Sequence, residues 1–248
     1  DLHSFPTRRS SDLDLSIRTT FDSNNDLNQI RLANILKALE YALPNINYSQ
    51  GMNYIGAFFL SITNNEEESF YLFLSLLIST EYGKLFEKDL EKFQKYFYVF
   101  DRLICILLPE LHYHFQENNI SSSHFLTPWL ITLFTHIFYT IKDRNNPLIL
   151  LRIFDMFIFS GWKSVIKIGI TLIKTYELKL MNLTTEELLS YLINGICKNS
   201  FFQNEYYDDL MNILIKFKID NYLISNVENE YELKESIPKI GGKDIFRS

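Results

Sequence analysis

Only eight glycines and six prolines punctuate the 248 residues, too few for a chain of tight hairpins. That scarcity favours long regular elements, and an all-α fold is the expectation. Cysteine is scarcer still. Cys105 and Cys197 both fall in apolar helical stretches, where a thiol acts as a small hydrophobe. A disulfide framework is therefore implausible, and a reducing, cytosolic compartment is expected. Positive charge is in deficit: 24 Lys and Arg stand against 30 Asp and Glu, a formal net charge of −6. No general basic field exists to attract nucleic acid or an anionic membrane. Hydrophobic runs are short. Those at 54–62 and 70–78 fall below the roughly 20 residues a bilayer span needs, and the run at 148–162 carries Arg152 and Asp155 inside it, so no transmembrane segment is expected.

Several chemistries lack their residues. His112 and His114 are two apart on an expected helix, which sends them to largely opposite sides, and no His-Glu-x-x-His or Cys-x-x-Cys spacing occurs, so no metal site is expected. No nucleophile elbow appears. A glycine-rich phosphate loop is missing too, which argues that this chain is not itself a nucleotide hydrolase.

What is present is apolar and aromatic. Hydrophobic residues make up 47% of the chain, with 21 Phe and 15 Tyr, enough to bury a full core. Apolar spacing predicts a helix over 28–43, stopped by Pro44, and a second over 52–62. Asn65 followed by three glutamates reads as an N-cap opening a helix to about residue 80. Pro109 should divide an amphipathic stretch over 89–118. Pro128 should open a helix running to about residue 142, and Pro147 another that Gly161 ends. Further helices are expected over 162–180, over 184–199 with a capping box from Thr184 to Glu187, and over 204–218. No fixed repeat is visible, so a solenoid is not expected.

The two ends read differently from the middle. Residues 1–13 look like the conceptual translation of a sequencing adapter and are set aside as an artefact, a genuine basic Ser/Arg leader being the competing reading; the formal charge is −6 with or without them. The expectation is one domain over 14–235, truncated at its N-terminal side, followed by a frayed tail over 236–248.

The segment Tyr48-Ser49-Gln50-Gly51-Met52-Asn53 places a flexible amide directly before a glycine, between two expected helices. Such an amide can point outward and position a water or a phosphate, with Gly51 removing a Cβ that would crowd an approaching ligand. The same residues also suit an ordinary helix-loop-helix connection with a solvated Gln50. Asp155 lies among Ile153, Phe154, Met156 and Phe157 on a helix expected to be largely buried. A buried carboxylate demands a partner, and Arg152 at i−3 is the candidate, in a structural role rather than a catalytic one.

Taken in order, Tyr48 to Asn53, Leu108-Pro109-Glu110-Leu111, Pro128-Trp129-Leu130-Ile131-Thr132-Leu133-Phe134 and Leu151-Arg152-Ile153-Phe154-Asp155 leading to Gly161 form a series. It resembles the TBC domain, the all-helical domain of GTPase-activating proteins for Rab GTPases, from about residue 14 to 222. The resemblance implies a single multi-helix TBC-type domain with a Rab-family small GTPase as partner. GTP and Mg²⁺ would be carried by that partner, with no cofactor on this chain. In the family an arginine from an Ile-x-x-Asp-x-x-Arg motif and a glutamine from a Tyr-x-Gln motif act together. Gln50 matches the glutamine, which orients the attacking water, with Tyr48 supporting its loop and Gly51 and Asn53 completing the block. Asp14 and Arg18 match the arginine motif with one extra residue between them; a strict count puts Ile17 at the arginine position. Arg31 is the other basic residue nearby, and it reads as a solvated helix charge. Trp129, Arg152 and Asp155 match family positions assigned to the scaffold. If Arg18 cannot reach, a catalytically weak Rab-binding scaffold is the implied alternative. Localisation would be cytoplasmic, peripheral on endomembranes through the Rab.

Overall fold

A computed structural model describes residues 26–46, 48–86, 91–136, 148–195, 207–217 and 219–236. Helices α1 (Asp26–Ala42), α2 (Met52–Thr63) and α3 (Glu66–Ser79) come first, followed by a 3₁₀-helix over Glu81–Phe86. Next are α4 (Glu91–Leu107), α5 (Pro109–Glu117), a short 3₁₀ turn at Ser122–His124 and α6 (Leu126–Thr132). The second half holds α7 (Leu148–Ser160), α8 (Trp162–Thr175), α9 (Glu177–Leu180), α10 (Thr185–Ser190), a π-helical turn at Tyr191–Gly195, α11 (Tyr207–Lys216) and α12 (Asn221–Ser236). No strand occurs among the described residues, and none of their helices is long and apolar enough to cross a membrane.

Local chemistry sets many of these bounds. Asn65 caps α3 by accepting from the Glu68 amide at 3.1 Å, and three acidic residues occupy the first turn, matching the helix dipole. Glu187 accepts from the Thr184 amide at 3.1 Å and from its hydroxyl at 2.8 Å, opening α10 as the capping box predicts. Pro109 starts α5 rather than continuing α4. Gly161, at φ 61, separates α7 from α8.

Three expectations need correction. The helix opened near Pro128 stops at Thr132, because Leu133 and Phe134 adopt left-handed φ values of 45 and 65. The helix after Gly161 breaks at Tyr176. Finally, α12 continues to Ser236, a segment for which the apolar spacing gave no helix; residues 237–248 of the expected tail lie outside the described residues, as do Cys197 and all of 1–25.

A single core joins the helices. Phe58 of α2 stacks on Phe154 of α7 at 4.7 Å. Tyr96 of α4 lies against Trp162 of α8 at 4.9 Å. Trp129 is fully buried with its ring near those of Phe100, Phe125 and Phe134. Helix α12 is fastened to α4 by polar groups: Glu230 accepts from the Tyr98 hydroxyl at 2.7 Å and from Arg102 at 3.1 Å, and Lys95 donates to Glu232 at 2.8 Å. Arg102 also approaches the half-buried Cys105 sulfur at 3.8 Å.

Candidate functional site

The Gln50 turn is braced from below. Asn53, with no exposed surface, accepts from the Gly51 amide at 3.1 Å through Oδ1, and the Tyr48 hydroxyl donates to the same oxygen at 3.5 Å. The Met52 amide donates to the Ser49 carbonyl at 3.1 Å, and the Tyr54 amide to that of Gly51 at 3.1 Å. The Ser49 amide points at the Met52 sulfur at 3.3 Å. Around these buried or half-buried supports Gln50 itself is exposed. The amide side chain therefore stands at the N-terminal end of α2 with its backbone held on both sides.

Gly51 has a different purpose from the one its sequence suggested. It is buried, with φ 115, and a Cβ there would lie 2.5 Å from Ile131 Cγ2 and 3.2 Å from Thr132 Cγ2. The missing side chain makes room for the protein's own α6, not for an incoming ligand.

Beneath the turn, α6 ends in a second braced structure. The Thr132 hydroxyl donates to the Pro128 carbonyl at 2.7 Å and sits 2.7 Å from His136 Nδ1. A hydroxyl has one proton, and here it goes to Pro128, so His136 Nδ1–H must be the donor to Thr132. That assignment leaves Nε2 as a buried lone pair without a hydrogen-bond partner among the described residues. Burial pushes the His136 imidazole down to about 4, so it is neutral near pH 7. The Tyr54 ring meets it edge-on at 6.2 Å.

The sequence comparisons place this architecture. The model of the family described as the Rab-GTPase-TBC domain matches residues 6–181. The chain belongs to that family. Among relatives, the Ecotropic viral integration site 5 protein homolog of Homo sapiens is 28% identical over 212 residues, covering 85% of this chain and 25% of that protein. The GTPase-activating protein GYP5 of Eremothecium gossypii is 32% identical over 166 residues, covering 66% of this chain and 19% of that protein. This chain thus spans a quarter or less of the length of these two relatives. The crystal structure of the Chlamydomonas flagellar RabGAP TBC domain superposes with a TM-score of 0.66 at 23% identity, over 84% of this chain and 67% of that one. The fold is shared.

Within this TBC domain the expected site residues separate into groups. Tyr48, Gly51 and Asn53 gather around the Gln50 turn. Asp14 and Arg18 lie outside the described residues. Arg31, on α1, donates to Asn64 Oδ1 at 3.4 Å. Trp129 is deep in the core. Asp155 corrects its expectation: it is on the outer face of α7, with its side chain 68% exposed and that of Arg152 52% exposed. The two pair at 3.8 Å, but in solvent, so no burial penalty demands the contact. Sequence reasoning missed three side chains that brace α6 next to this turn: Tyr82, whose hydroxyl donates to the Ile131 carbonyl, and the hydrogen-bonded pair Thr132 and His136. The block from Pro128 to Phe134 was visible as a motif, yet nothing in it indicated that Ile131 and Thr132 lie against Gly51. Among the described residues no group of three His, Cys, Asp or Glu could hold a metal ion.

Proposed function

We propose that this TBC domain accelerates GTP hydrolysis by a Rab-family small GTPase. Gln50 enters the partner's nucleotide site and orients the attacking water at the γ-phosphate, while Arg18 stabilises charge on the equatorial oxygens. Nucleotide and Mg²⁺ belong to the Rab. Phosphoryl transfer needs little covalent chemistry from a protein and responds to positioning and charge. An exposed amide on a fixed backbone is suited to that work. The observation that carries the reading is the exposure of Gln50 above a turn whose supports, Gly51 and Asn53, are both buried. The domain meets membranes only through its partner.

The test is single-turnover GTP hydrolysis by a panel of Rab proteins. The parent should accelerate at least one of them. Arg18→Ala should cost about 10³-fold and Gln50→Ala about 10²-fold, each with Rab binding retained. The extra residue between Asp14 and Arg18 favours a second reading, a Rab-binding scaffold with weak activity. Binding without acceleration by the folded parent would select it.

A further inference from the structure

Tyr82 lies in the 3₁₀-helix between α3 and α4, and no part of it is exposed. Its ring is edge-on to Phe86 at 5.1 Å and to Phe157 at 6.1 Å, and it stacks on Trp162 at 6.1 Å. Packed on these sides, the ring has little room to move. Its hydroxyl donates to the carbonyl oxygen of Ile131. Burial also raises its pKa well above the ordinary tyrosine value, so the proton stays on the oxygen.

The last four carbonyls of any helix lack intrahelical donors, and at the end of α6 each has found another. Trp129 accepts from the Phe134 amide at 3.3 Å, Leu130 from the Leu133 amide at 3.5 Å, and Thr132 from the Thr135 hydroxyl at 2.6 Å. Ile131 accepts from Tyr82. Of the four donors, Tyr82 alone comes from a distant part of the chain. Ile131 is also the residue whose Cγ2 would meet a Cβ on Gly51 at 2.5 Å. It is held at its carbonyl by Tyr82 and lies against the Gln50 turn with its side chain.

We propose that Tyr82 is a positioning residue for Gln50, acting through Ile131 to set where the Gly51 backbone sits. This rests on Gln50 being the water-orienting group. Without the hydroxyl, the Ile131 carbonyl lacks that buried donor, and relaxation of Ile131 passes directly to the turn. Loss of an ordinary stabilising bond would lower stability and leave the saturated rate alone. Loss of a positioning bond lowers the saturated rate and leaves Rab binding alone.

The experiment compares the parent, Tyr82→Phe, Gln50→Ala and their combination in the full chain, using the Rab the parent accelerates most. Ser122→Ala is the control, since it too loses a buried hydroxyl-to-carbonyl bond, 3.0 Å from Ser122 to Phe97, but on α4 and not at the turn. Tyr82→Phe should lower the saturated single-turnover rate about tenfold with the half-saturating concentration unchanged, and should cost nothing further in the Gln50→Ala background. Ser122→Ala should lower the unfolding midpoint and keep the parental rate. Ile131→Ala, which cuts the other end of the link, should repeat the Tyr82→Phe pattern. Hydrogen exchange gives a readout that needs no Rab: the Gly51 amide should exchange faster in Tyr82→Phe.

A parental rate in Tyr82→Phe, a full additional loss in the Gln50→Ala background, or unchanged Gly51 protection would overturn the role of Tyr82. If Gln50→Ala itself kept the parental rate, the water-orienting reading would fall first and Tyr82 with it. Impairment in Gln50→Ala alone would remove only Tyr82.

Discussion

The Gly51 amide donates to Asn53 Oδ1 at 3.1 Å, a bond made entirely inside the protein and directly beneath Gln50. It satisfies a backbone donor at the N-terminal end of α2. Asn53→Ala should therefore destabilise the domain by roughly 1–3 kcal/mol, the cost of a buried donor left alone. Urea unfolding measures it, and a change below half a kilocalorie would contradict the assignment.

Gly51→Ala should be harmful for two separate reasons. Its φ of 115 is strained for any L side chain, and the new methyl would collide with Ile131. A loss on the order of 2 kcal/mol is expected from strain and overpacking together. Activity should fall further than stability, because the collision displaces Gln50. The comparison is between the unfolding midpoint and the saturated rate.

His136 makes stability depend on pH. Burial lowers its folded-state value to about 4, from 6.5, so between these values the unfolded chain binds a proton that the folded one refuses. Its contribution is fully present above about pH 6.5 and is lost as pH falls toward 4, up to about 3 kcal/mol in all. Denaturant unfolding of the parent and His136→Gln across pH 4–7 should show a steeper acid loss in the parent. Parallel profiles would rule the effect out.

Arg152→Ala and Asp155→Asn should each change stability by less than about 0.5 kcal/mol, since a solvated pair at 3.8 Å contributes little. A loss of several kilocalories in thermal unfolding would show that the pair matters despite its exposure.

Glu230 joins Tyr98 and Arg102 on α4 to α12, and both hydrogen bonds hold its carboxyl below the ordinary glutamate range. Glu230→Ala should speed amide exchange in α12 specifically and cost no more than about 1 kcal/mol globally. Uniform acceleration across the domain would mean the contact acts on the whole fold.

Helix starts and stops were the most legible features. Pro44, Pro109, Asn65 and Thr184 act through their own side chains, so their effects are written locally. The end of α6 was hidden because Leu133 and Phe134 are poor candidates for left-handed backbone, a conformation costing roughly 1–2 kcal/mol each. The distant Tyr82 and the local Thr135 hydroxyl supply donors to the carbonyls that this conformation frees. The exposure of Asp155 was hidden by composition: α7 is so rich in apolar residues that Ile158 and Phe159 are exposed as well, and hydrophobic density does not say which face turns inward. Helix α12 escaped notice for the opposite reason, since only Ile224 and Val227 are buried along it. At the site, the Gln50 block was readable, whereas its supports come from Tyr82 and Ile131, residues 49 positions apart.

Matching to the family model stops at residue 181, yet Leu188, Leu192, Ile219, Ile224 and Val227 are all buried. An expression boundary drawn at that limit would strip the cover from α4, leaving a greasy flank on a protein whose Gln50 turn is intact. Such a clone would be expected to clump, and its silence in a GTPase assay would say nothing about Gln50.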